Sequence, residues 1–86
     1  MEIRYTPDAI ADLGYWKKSG NLAVCKKITK LLEDILKHPY TGIGKPEALK
    51  YEMVGSWSRR ITLEHRLVYE VISDEIVEIQ SVRGHY

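Results

Sequence analysis

The chain has no phenylalanine, one cysteine, three prolines and a formal net charge of only +1 across 86 residues. Each scarcity removes a class of explanation. A lone cysteine, Cys25, cannot close an internal disulfide, so nothing here calls for an oxidising compartment. It lies in Asn21-Leu22-Ala23-Val24-Cys25-Lys26-Lys27, a stretch that reads as helix, where cysteine behaves as a small apolar residue. A net charge this low argues against gripping duplex DNA by bulk electrostatics. No apolar run approaches the ~18 residues of a membrane-spanning helix. Met1-Glu2-Ile3-Arg4-Tyr5 lacks the charged-then-apolar layout of a secretion signal, so a cytoplasmic location is expected. Without phenylalanine, six tyrosines and two tryptophans supply the aromatic bulk, and each brings a polar tip that needs a partner or the surface.

Several chemical motifs are missing as well. Gly42-Ile43-Gly44-Lys45-Pro46 is too short for a phosphate loop and has no Ser or Thr after its lysine. His38, His65 and His85 have no metal-ligand spacing, and one cysteine cannot complete a zinc site. No Gly-x-Ser-x-Gly elbow occurs. The expectation is no metal and no cofactor. An enzyme built on this chain would be left with general acid–base chemistry.

What is present patterns well. The length predicts one domain over residues 1–86. Glu2-Ile3-Arg4-Tyr5 alternates like a short strand. Thr6-Pro7-Asp8 starts a helix: a capping hydroxyl, a proline at the first helical position, and an acid at the positive end. Ile10, Leu13 and Trp16 follow at helical spacing. Ser19-Gly20-Asn21 stops that helix and caps a second from about Leu22 to Lys37, whose apolar stripe is Val24, Ile28, Leu31, Leu32, Ile35 and Leu36. His38-Pro39 ends it. After the loop from Pro39 to Pro46 the period changes, and Tyr51–Val54, Trp57–Thr62, Arg66–Ile72 and Ile76–Val82 read as closely spaced, antiparallel strands. The predicted class is α+β: an N-terminal strand, then a two-helix antiparallel hairpin packed on one face of a mainly antiparallel four- to five-stranded sheet. Its other face is left free for a ligand.

Four features after residue 44 carry possible chemistry. Glu47 and Lys50 share a side if 47–50 form a helical turn. Ser58-Arg59-Arg60 lies in a strand, so only one of the two arginines can face the open side. Glu64-His65-Arg66 opens the next strand, and His85-Tyr86 closes the chain. Taken singly, each has an ordinary reading: a loop carboxylate, a salt-bridged strand face, a frayed tail. Together they meet the needs of metal-free RNA cleavage, in which the 2′-OH attacks its own phosphate. That reaction wants a base, an acid, and cations for the phosphoryl oxygens.

Gly42-Ile43-Gly44-Lys45-Pro46-Glu47-Ala48-Leu49-Lys50, Gly55-Ser56-Trp57-Ser58-Arg59-Arg60-Ile61, Glu64-His65-Arg66-Leu67-Val68-Tyr69 and the terminal His85-Tyr86 closely resemble the YoeB/Txe toxins of the RelE superfamily. The helical half is similar too, so the resemblance spans essentially the whole chain. It implies the RelE-like microbial RNase fold and ribosome-dependent cleavage of messenger RNA in the A site of the 70S ribosome, with inhibition of translation. It also implies neutralisation by a cognate antitoxin of the YefM or Phd kind, operator DNA contacted only through the antitoxin complex, and a homodimer. Carried over by position, the catalytic set would be Glu47 (general base), His85 (general acid), Arg66 (phosphate) and Tyr86. Lys50 and Tyr86 would position the nucleotide, and Arg59 would bind substrate electrostatically. Gly84 stands where some relatives carry a bulky aromatic. The alternative is a catalytically silent RelE-like module acting as corepressor or ribosome binder. A ribonuclease acting on free RNA is a third reading, against which the low net charge speaks.

The basic excess sits on the helices, at Lys17, Lys18, Lys26, Lys27, Lys30 and Lys37. Reversing charge at Lys26, Lys27 and Lys30 is expected to weaken ribosome binding more than antitoxin binding. Equal ribosome affinity would mean that these lysines are merely solvated.

Overall fold

Thr6 does two jobs at the start of the first helix. Its hydroxyl accepts from the Ala9 N–H at 3.1 Å and donates to the Gln80 carbonyl at 2.9 Å, capping α1 (Pro7–Ser19) and tying it to the last strand. Gly20, at φ 71°, turns the chain out of α1, and Asn21 caps α2 (Leu22–Lys37) by accepting from the Val24 N–H at 3.1 Å. The computed structural model describes residues 1–84. It adds β1 (Glu2–Tyr5), β2 (Glu47–Ala48), a 3₁₀ turn (Tyr51–Met53), β3 (Ser56–Arg60), β4 (Arg66–Ser73) and β5 (Ile76–Ser81).

The five strands form one sheet in the order β1-β5-β4-β3-β2. β1 pairs parallel with β5, and every other pairing is antiparallel. Both helices lie on one face. Ala9 and Trp16 of α1 and Val24, Ile28, Leu31 and Ile35 of α2 close on Leu67, Tyr69, Val77 and Ile79. The expected apolar faces need two adjustments. Ile10 is 60% exposed because it lies one residue, and so ~100° around the helix, from the buried Ala9. Leu36, one step from the buried Ile35, is likewise on the outer side. Among the described residues, no helix is long and apolar enough to cross a membrane.

The region from 45 to 54 departs from the sequence reading. Glu47–Lys50 is not a helical turn, and Tyr51–Val54 is not a strand. Glu47 and Ala48 instead pair with Ser58 and Trp57, and residues 51–53 make a 3₁₀ turn. Tyr51 and Val54 stay 89% and 73% exposed, so their alternation has no core to bury. Pairing across the turn, extended by Leu49 N–H donating to Ser56 O at 2.9 Å, takes precedence over the local pattern.

A charge sits inside this core. Arg59 is fully buried, and its guanidinium donates to Asp34 Oδ2, to the carbonyls of His38, Thr41 and Ile43, and to Tyr69 Oη. Tyr69 in turn donates to Pro39 O at 2.6 Å, and Asp34 accepts from Ile43 N–H at 3.1 Å. The 38–43 loop is therefore wrapped around the cation. A Cβ at Gly42 (φ 113°) would run into the Asp34 carboxylate, which explains a glycine there. Burial pushes the Tyr69 phenol up from its ordinary value. The Arg59 hydrogen bond holds Asp34 below its ordinary 3.8. Because that folded value lies under the unfolded one, the contribution of Asp34 is present above pH ~3.8 and lost as pH falls through the folded value. Removing one partner of an enclosed pair is costly, and Asp34 is one-fifth exposed. D34N is therefore expected to lose about 2–4 kcal/mol at neutral pH. Its stability should also fall less steeply than wild type between pH 4 and more acid conditions, followed by denaturant titration; identical slopes would contradict the assignment.

Candidate functional site

Alternation along the strands decides which side chains reach the face opposite the helices. On β3, Trp57 and Arg59 point to the helix side, and Ser56, Ser58 and Arg60 take the other face. Register then assembles a group. Glu47 stands opposite Ser58, Ser58 opposite Val68, and Arg60 opposite Arg66. The Arg66 guanidinium, its side chain 19% exposed, lies 3.7 Å from Glu47 Oε2 and 3.4 Å from Ser58 Oγ. Glu47 is two-thirds exposed on the edge strand, so its carboxylate is accessible beside a fixed cation. Lys50 is also exposed, just beyond β2.

Arg59, expected to bind substrate, does not reach this face. It is sealed on the helix side by Asp34 and the loop carbonyls. Of the two neighbouring arginines it is Arg60 that faces outward, side by side with Arg66. A sequence signal for this existed: Arg59 is in phase with Trp57 and Ile61, so apolar neighbours at i−2 and i+2 mark its side as the inner one. Two cations directly opposite each other on a strand pair oppose folding. Their concentration next to Glu47 suits an anionic ligand, because guanidinium forks match phosphate oxygens.

His85 and Tyr86, the expected acid and its neighbour, lie outside the described residues. The chain leading to them does not. Gly84, at φ 87°, accepts from Arg66 N–H at 2.8 Å and donates to His65 Nδ1 at 2.9 Å. The chain therefore reaches residue 84 alongside the backbone of Arg66.

Two depressions lie beside the helices rather than on the open sheet face. One, about 520 Å³, is lined by Tyr15, Trp16, Val24, Leu63 and His65 among others, and one of about 220 Å³ by Lys30, Asp34, Lys37 and neighbours. Neither includes Glu47 or Arg66. The candidate site is thus a polar patch on the sheet face away from the helices, with the Glu47 carboxylate exposed at its edge. No three His, Cys, Asp or Glu side chains among the described residues come together as a metal site. A carboxylate at the edge and guanidinium groups beside it could take a proton from a hydroxyl while holding an adjacent phosphate.

Residues 5–86 match the family model for the YoeB-like toxin of bacterial type II toxin–antitoxin systems. The Toxin YoeB of Escherichia coli K12 is 43% identical over 86 residues, covering all of both chains. A solved YoeB/ParE toxin from Agrobacterium tumefaciens superposes with a TM-score of 0.94 at 38% identity, again over the whole of both chains. YoeB of Staphylococcus aureus, 41% identical with all of this chain and 98% of that one covered, superposes at 0.90 as a dimer and at 0.88 in a heterotetrameric YoeB–YefM toxin–antitoxin complex.

Proposed function

From a chain that belongs to the YoeB-like toxin family of bacterial type II toxin–antitoxin systems, we propose a metal-independent endoribonuclease that cleaves messenger RNA in the ribosomal A site. The observation that carries this reading is the placement of Glu47 3.7 Å from Arg66 on the open face of the sheet. Glu47 acts as general base on the 2′-OH of the scissile nucleotide. The resulting oxygen attacks the adjacent phosphorus, the bond from phosphorus to the 5′-oxygen breaks, and His85 returns a proton to that leaving oxygen. The products are a cyclic phosphate and a free 5′-hydroxyl. Arg66, with Arg60 beside it, binds the phosphoryl oxygens as negative charge builds on them. Such preorganised cations stabilise the transition state more than the ground state. Lys50 and Tyr86 position the nucleotide, Tyr86 by stacking or through its hydroxyl.

The ribosome supplies what a small, nearly neutral protein lacks. It holds the RNA, so the toxin needs only local contacts and its exposed lysines. A cytoplasmic location follows from that substrate. The partner that neutralises the toxin is a YefM-type antitoxin, as in the S. aureus complex. Its C-terminal segment would cover the open face, and the two proteins together would occupy the operator DNA. Like the S. aureus toxin, the chain forms a homodimer in this reading.

Glu47→Ala is expected to lose roughly 10²–10⁴-fold in cleavage rate and Arg66→Ala roughly 10²–10³-fold, both while still binding ribosomes. Glu47 is two-thirds exposed and its contact with Arg66 is long, at 3.7 Å, so losing that ion pair costs about 1 kcal/mol and E47A should remain folded. A near wild-type rate in either variant would remove that residue from the mechanism. Ribosome binding without cleavage by the wild type would favour a silent corepressor or ribosome-binding module.

A further inference from the structure

Beyond β5 the chain is gripped by side chains. Val82 N–H donates to Asp12 Oδ2 at 3.1 Å, and Val82 O accepts from Trp16 Nε1 at 2.7 Å. The Arg83 guanidinium lies 3.7 Å over the Tyr15 ring. Gly84 is then held at both polar atoms of its backbone: its carbonyl by Arg66 N–H, and its N–H by an imidazole nitrogen, His65 Nδ1. The His65 contact differs in kind from the others, because an imidazole nitrogen accepts a hydrogen bond only when it carries no proton. The ring's hydrogen must therefore be on Nε2.

His65 is itself firmly placed. Its N–H donates to Thr62 Oγ1 at 3.0 Å, and its carbonyl accepts from the N–H groups of Ile61 and Thr62 at 2.9 and 3.1 Å. Its ring meets Trp16 edge-on, centroids 4.8 Å apart at 84°. Trp16 in turn bonds Val82, so helix, turn and C-terminal segment form one closed circuit.

We propose that His65 is a positioning residue: its Nδ1 fixes the Gly84 amide, and with it the point from which the chain enters His85 and Tyr86. The proposal rests on the reading of those two residues as members of the catalytic set. Holding both polar atoms of the Gly84 backbone fixes the direction in which the chain leaves it. Acid catalysis is also sensitive to placement, since a displacement of ~1 Å can cost ~10²-fold in rate. His65 touches no reacting atom in this scheme. It acts through one hydrogen bond to the main chain.

Two substitutions separate the acceptor from the ring. His65→Phe keeps an aromatic edge against Trp16 and removes the acceptor. His65→Asn removes the ring but places its amide Oδ1 where Nδ1 was. Single-turnover cleavage at saturating toxin on programmed ribosomes should fall roughly 10–100-fold in H65F, with ribosome affinity unchanged, and H65N should recover most of that loss. His65→Gln, whose acceptor sits one methylene too far out, replaces H65F in the comparison should H65F fail to fold. A wild-type rate in H65F, or an H65N as slow as H65F, overturns the proposal. Hydrogen exchange of the Gly84 amide, read by NMR, tests the anchor without RNA. Protection in wild type and H65N that is lost in H65F supports it, and equal exchange in all three overturns it. A wild type that cuts nothing on ribosomes yet protects Gly84 removes the nuclease reading and the catalytic half of this proposal, leaving the anchor itself established.

Discussion

Arg59 carries a full charge into the space between α2 and the sheet, and much of the architecture answers to it. An enclosed cation is tolerated only when every donor is met and a counter-charge lies close. Here the donors are met by Asp34, by three loop carbonyls and by Tyr69. The loop from His38 to Ile43 thus has a defined shape without regular secondary structure. Its exit is fixed by Arg60 N–H donating to Gly44 O at 2.7 Å. From there the chain arrives in register to form β2, and that short edge strand presents Glu47 beside Arg66. A buried electrostatic requirement on one side of the sheet thereby sets the position of a carboxylate on the other.

The same strand serves both sides. Period-two alternation lets β3 send Trp57 and Arg59 into the core while Ser58 and Arg60 face outward. The open face carries polar and charged side chains, and its chemistry is concentrated where β2, β3 and β4 meet. The C-terminal segment is brought to this corner by contacts from α1 and from the β3–β4 turn. The helices therefore contribute to the site from behind, by holding residues 82–84, without supplying a side chain to the face itself.

Much of this could be read from the residues, and what could not has a common cause. The helix ends were legible because capping is local: Thr6-Pro7 and Gly20-Asn21 carry their own signals within a few positions. β3, β4 and β5 were legible from alternation. The two-residue β2 and the 3₁₀ turn after it were not, because a strand that short exists only through its partner, Ser58 and Trp57. The parallel seat of β1 beside β5 likewise depends on a contact across most of the chain. The arginine pair shows how far alternation goes by itself. It established that one arginine faces inward, but choosing Arg59 over Arg60 required setting the phase against Trp57 and Ile61. The roles given to Glu47, Arg66, His85 and Tyr86 came from resemblance. Geometry adds the juxtaposition of Glu47 with Arg66 and the anchoring of Gly84, whereas a role for His65, which lay in the Glu64-His65-Arg66 motif with none assigned to it, emerged only from the folded chain.

The most direct measurement of the central claim is messenger RNA cleavage on programmed 70S ribosomes, mapped by primer extension beside the same RNA free in solution. Cuts confined to the A-site codon and present only on ribosomes are expected. A folded, ribosome-bound protein that makes no cuts, or one that degrades free RNA equally fast, would contradict it.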